Sequence, residues 1–157
     1  MKLTQSVVAL GALALAGILI GCQGRPTVFP NSDSNLRKTS TEFAADAAKR
    51  FPYPGDTAGK GGEIAGRAEV DTMMTNLQLL NSSEDDWKDI DVWVNKSHVC
   101  HIPLIPKGKE KVETISFSML YDEHGNYFST QNGKNPVNRV EIVRDGKIYT
   151  VPVRLAD

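Results

Sequence analysis

Apolar side chains recur at every second position through most of the chain beyond residue 60. Ile90, Val92 and Val94 alternate with Asp91, Trp93 and Asn95, and Tyr149, Val151, Val153 and Leu155 alternate with Thr150, Pro152 and Arg154. Ile115, Phe117, Met119 and Tyr121 repeat the pattern. A period of two places successive side chains on opposite faces, so each run predicts a strand with one buried face. Val140 and Ile142 belong to another strand, joined to the last by Asp145-Gly146, a strong hairpin signal. Residues 98–103 pair back onto 89–95 through the polar turn Asn95-Lys96-Ser97, and Ile64–Val70 and Thr75–Leu80 complete a set of seven strands. The pattern predicts a mainly β fold, a single antiparallel β-sandwich of immunoglobulin-like or fibronectin-like size, over residues 61–157.

Upstream the period changes. In "LRKTSTEFAADAAKRFPYP", Thr39 and Glu42 have capping-box spacing, four alanines favour helix, and Pro52 ends it, which predicts a short helix near 40–50. Its apolar face is thin, which suits a helix docked on the domain or capping a stalk. The prolines and small polar residues of 22–35 and the glycines and prolines of 52–62 have the composition of flexible connectors. Residues 22–60 therefore read as a helix-containing tether that holds the sandwich roughly 40 Å from its attachment point.

The first residues differ again. Met1-Lys2 is a cationic start, and Val7–Gly21 carries no charge, which is the anatomy of a secretory signal peptide over 1–21, an apolar signal helix too short to span a bilayer comfortably. Leu19-Ile20-Gly21-Cys22 resembles the lipobox of bacterial lipoproteins. The resemblance implies cleavage before Cys22, a diacylglyceryl group on its sulfur and N-acylation of the new terminus. Two or more acyl chains make attachment durable at about 0.8 kcal/mol per buried methylene. It also implies a cell-envelope location anchored to membrane. Gln23 stands where some inner-membrane lipoproteins carry aspartate, which leans toward the outer membrane. The downstream region resembles the small β-sandwich domains of other bacterial lipoproteins in architecture alone, and architecture predicts no activity.

Charge narrows the partners. The formal net charge is -1, and loss of Lys2 with the signal peptide leaves 17 basic against 19 acidic side chains, so no basic field argues for nucleic acid. With Cys22 lipidated, Cys100 is left without a disulfide partner, and the fold must stand on its core.

Candidate chemistry is sparse. "HVCH" gathers His98, Cys100 and His101, residue types that bind zinc, but in a strand His98 and Cys100 share a face that His101 does not. The plainer expectation is a Cys100 packed beside Ile102, His98 at the strand end and His101 in solvent. Neither a metal nor a catalytic residue is assigned. The acidic "NSSEDDWKDID" and the "DEHGN" turn contain calcium-type oxygens without EF-hand spacing, and loop chemistry with Gly125 at positive φ explains them as well. Trp93, Trp87 and Tyr127 are the candidate binding surface, with Trp93 on the face opposite Ile90, Val92 and Val94. The expectation for the domain is a non-enzymatic module that needs no cofactor and meets an envelope protein or supports envelope structure. The alternative is a carbohydrate- or peptidoglycan-binding module, and a third reading is a small metal- or cysteine-dependent hydrolase.

Overall fold

The structure, a computed structural model, describes residues 38–108, 111–130 and 134–156. The expected signal peptide over 1–21, the lipobox-like Leu19, Ile20, Gly21 and Cys22, and the expected 22–35 connector lie outside the described residues. One helix, α1 (Ser40–Ala48), precedes nine strands: β1 (Gly59–Glu63), β2 (Gly66–Asp71), β3 (Asn76–Asn81), β4 (Trp87–Val94), β5 (His98–Ile105), β6 (Val112–Ser116), β7 (Val140–Arg144), β8 (Lys147–Val151) and β9 (Val153–Leu155). They form a sheet of order β1-β8-β7-β4-β5 and a second of order β6-β3-β2-β9. The apolar faces of the two sheets share one core that includes Leu77, Leu79 and Ile115 from the smaller sheet and Val92, Ile102 and Ile142 from the larger. The fold is mainly β and sandwich-like, as the alternation predicts.

Its pairing departs from the all-antiparallel expectation. β1 runs parallel to β8 and β2 runs parallel to β9. Pro152, which cannot donate to a ladder, interrupts the run Tyr149–Leu155. Residues before it pair in the larger sheet, and those after it pair in the smaller one. The chain from Gly59 to Asp71 crosses alongside, with Ile64 N–H donating to Thr150 O (3.0 Å) and Ala68 N–H to Pro152 O (2.8 Å). The two parallel pairs are thus one ribbon that turns the corner between sheets, a common way for strands to switch layers. Gly66 sits at that corner because nothing larger fits: a Cβ there would lie 2.5 Å from both Leu80 O and the Trp87 ring.

The run Ile115–Tyr121 is likewise only partly strand. β6 ends at Ser116, whose hydroxyl accepts from Ser118 N–H, and Phe117–Met119 forms a 3₁₀ turn. A serine that can bond the backbone two residues on competes with the ladder. The two hairpin signals hold, with Asp145 (φ 50°) and Gly146 (φ 71°) both left-handed in the β7–β8 turn, and Asn95 and Lys96 likewise in the β4–β5 turn.

The largest difference concerns residues 38–62. α1 forms behind the expected capping box, with Thr39 N–H donating to Glu42 Oε2 (2.6 Å) and Glu42 N–H to Thr39 Oγ1 (3.3 Å). It docks on the domain, burying Phe43 and Ala47. Asp46 meets Lys38 (3.0 Å) and Arg50 (3.2 Å), and Arg50 also pairs with Asp91 of β4. Phe51 and Tyr53 then pack edge-on against Trp93, each with ring centroids 5.1 Å away. Residues 52–62, read from composition as a flexible connector, contain a turn closed by Ala58 N–H to Pro54 O (2.9 Å) and all of β1 but its last residue, Glu63. The packed unit begins near Lys38 among the described residues, so part of the larger sheet's outer face is covered as well.

Candidate functional site

That cover decides the fate of the expected aromatic platform. Trp93 does face away from Val92 and Val94, yet it is 1% exposed, because Phe51 and Tyr53 close over it. Trp87 is fully buried, with its Nε1–H on Ser83 Oγ (3.0 Å). Neither tryptophan contributes to a binding surface. Tyr127 alone of the three is open, at 55%. The strand that carries Trp93 is legible from its alternation; the segment that buries the ring is not.

The "HVCH" residues are each held in the fold. Cys100 pairs across from Val92 and is buried, and burial pushes its thiol far above the ordinary range. Native Cys100 is therefore expected to resist an alkylating reagent at neutral pH and to label only after unfolding, read by mass spectrometry of its own peptide; rapid native labelling would contradict the packing. His98 lies on the same strand face, edge-on to Phe128 (5.1 Å), with Nδ1 2.9 Å from Ser97 Oγ. Burial lowers its pKa, against a smaller opposing pull from Asp122. His101, expected in solvent, is instead half-buried with Nδ1 2.9 Å from Asp91 Oδ1, joined to the Asp91–Arg50–Asp46 chain that ties α1 to β4. Among the described residues no three of His, Cys, Asp and Glu converge as metal ligands would.

In each acidic loop one carboxylate, Asp86 in the first and Asp122 in the second, is held by backbone N–H groups. In the first, buried Asn81 donates to Asp85 O (2.8 Å) and Ile105 O (3.2 Å) and accepts from Ser83, while Asp86 Oδ1 accepts from Lys107 N–H (2.9 Å). In the second, Asp122 Oδ1 accepts from the N–H groups of His124 and Asn126, and Gly125 takes φ +80° as its position requires.

Among the described residues, concave surface includes the following three places. The N-terminal cover leaves a cleft of about 640 Å³ over the outer face of β7, β8 and β1, walled by Tyr53, Lys60, Lys96, Arg139, Glu141 and Thr150. Glu141, opposite Trp93 in the β4–β7 register, is 1% exposed. Its carboxylate accepts from Tyr53 OH (2.7 Å) and pairs with Arg139 Nη2 (2.7 Å). Burial, reinforced by the bond to Glu141, raises the Tyr53 hydroxyl to about 12, so it stays a neutral donor. Lys96, at φ 61°, stands 5.4 Å over the Tyr53 ring. A neighbouring hollow of about 310 Å³ shares Tyr53 and Lys96 and reaches His98, Asp122 and His124. The third, of about 680 Å³, lies at the far end of β3 and β6, where Tyr127 and the hydroxyls of Thr72, Thr75, Ser116 and Ser118 surround buried Phe117 and Phe128.

Sequence reasoning missed the Tyr53, Lys60, Lys96, Arg139 and Glu141 group. The one available signal was Glu141 itself, a carboxylate between Val140 and Ile142 in a strand bounded by apolar positions. No protein-family model, curated protein or solved structure matches the chain.

Proposed function

We propose that the protein is a lipid-anchored component of the bacterial cell envelope whose sandwich is a non-catalytic binding module. The observation that carries the second half is that three side chains suited to chemistry, Cys100, His101 and Glu141, are held by the fold. Cys100 is buried, His101 is bonded to Asp91, and Glu141 is bonded to Tyr53 and Arg139. What faces solvent is concave surface lined by donors, which suits recognition better than turnover. The first half rests on Leu19-Ile20-Gly21-Cys22 behind its apolar run. Cys22 stands 16 residues before Lys38, a span that extended chain cannot stretch beyond about 55 Å. With α1 docked on the domain, that span alone separates the domain from its anchor, and Gln23 favours the outer membrane.

The test is Cys22→Ala. Wild-type chain should carry diacylglyceryl mass at Cys22 and sediment with membranes, whereas the variant should lose the lipid and its processing. Normal processing of the variant, with unchanged membrane partition, would reject the anchor. A second reading, carbohydrate or peptidoglycan recognition, draws support from Tyr127, the exposed aromatic that lies beside a hydroxyl-lined cleft, a geometry on which a sugar ring can stack.

A further inference from the structure

We propose that the cleft over β7, β8 and β1 is an oxyanion site, taking a phosphate group through Lys60, Lys96, Arg139 and the Tyr53 hydroxyl. This rests on the reading of the domain as a binding module and names the chemistry of its ligand.

The electrostatics run in one direction. The cleft wall holds three cations, Lys60, Lys96 and Arg139, against Asp56 and Glu141. Glu141 is already matched: Arg139 meets one carboxylate oxygen at 2.7 Å and Tyr53 OH the other, also at 2.7 Å. Arg139 remains 48% exposed, so guanidinium N–H groups not used on Glu141 are open to a ligand. Among the described residues neither Lys60 nor Lys96 makes an ion pair, and both side chains reach solvent. The buried carboxylate therefore acts as a brace. It fixes the guanidinium and the phenol in place, leaving Lys60 and Lys96 opposed in the cleft wall by Asp56 alone.

The backbone supports the same residue. Lys96 holds φ 61° as the second left-handed residue of the β4–β5 turn, and from there its ammonium lies 5.4 Å over the Tyr53 ring. Its neighbour Asn95 fixes it by accepting from Asn138 N–H (2.9 Å) and donating to Pro136 O (2.8 Å). Those bonds also hold the segment leading into Arg139. The volume, about 640 Å³, is that of a small-ligand pocket. A phosphate could arrive free or on a lipid headgroup, since the anchor keeps the domain near the bilayer.

The test is an NMR titration of the full chain in a neutral detergent with sodium phosphate, ionic strength held constant with chloride. Saturable shifts are expected at Tyr53, Lys60, Lys96 and Thr150. The pair Lys60→Met and Lys96→Met should weaken binding roughly tenfold or more, since charge-assisted hydrogen bonds are lost, while unfolding temperature stays unchanged. Shifts scattered over surface lysines, or equal affinity in the double variant, would overturn the site. A parallel titration with soluble short-chain phosphatidylglycerol, against phosphatidylcholine of the same length, identifies the source. Preference for the former over free phosphate assigns a headgroup, and equal or weaker binding assigns the free anion. Lipidation of Cys22 is read separately by mass, so loss of the anchor and loss of this site are distinguishable.

Discussion

Trp93→Ala should cost the fold about 3–5 kcal/mol, the range for deleting a buried aromatic. Domains of this size are stable by about 5–15 kcal/mol in total, so the variant sits near the edge of folding. The reason is specific to its position. Trp93 is the contact through which Phe51 and Tyr53 hold the N-terminal cover to the larger sheet, and its removal opens a cavity beneath both rings. Its Nε1–H has no hydrogen-bond partner among the described residues, so the ring contributes through apolar contact alone. Trp93→Phe, which keeps an aromatic ring and loses no bond, should cost far less, about 1–2 kcal/mol. Urea unfolding measures both. Hydrogen exchange should show the amides of residues 53–60 losing protection first in Trp93→Ala; loss spread evenly over the sandwich would mean that the cover is not held by this residue.

Glu141→Ala is the second large effect, expected at about 2–3 kcal/mol. It leaves the Tyr53 hydroxyl and the Arg139 guanidinium without their partner, and water reaches Arg139 well enough to keep the loss below that of a fully buried pair. The same cluster sets an alkaline limit. Tyr53 holds its proton to about 12 in the folded chain, by burial first and by Glu141 second, against 10.0 for a free phenol. Between those values the folded state binds more protons than the unfolded one. The stabilisation is therefore complete below about pH 10 and is lost as pH rises toward 12. Tyrosinate absorbance should show one tyrosine ionising late, and Tyr53→Phe should remove that step. Glu141→Gln should bring it part of the way back, because burial remains. A late step that survives in Tyr53→Phe would assign it elsewhere.

The particular residues explain what could be read in advance. Ile90, Val92 and Val94 declare a strand by period alone, because the pleat forces alternate side chains to opposite faces. Asp145-Gly146 declares its turn because few residue pairs tolerate two left-handed conformations. Thr39 and Glu42 declare the start of α1 because their reciprocal bonds are local. Each of these signals acts within a few residues, and each appears in the structure as expected.

Long-range partnership was not readable. Composition made 52–62 look like a connector, because glycine and proline, usual in free linkers, are also tolerated in turns and edge strands. Period made Tyr149–Leu155 one strand, although Pro152 divides it between two sheets, and made Trp93 look open, although Phe51 and Tyr53 lie some 40 residues earlier. The candidate site shares that property: Tyr53, Lys60, Lys96, Arg139 and Glu141 come from four separate stretches and meet only where β7, β8, β1 and the cover converge. What the sequence alone determined was the class of the fold, its local elements and the case for an anchor at Cys22, since these depend on neighbours along the chain. What the tertiary structure decided was which face is covered and which charges are gathered there, because burial and electrostatics depend on distance in space.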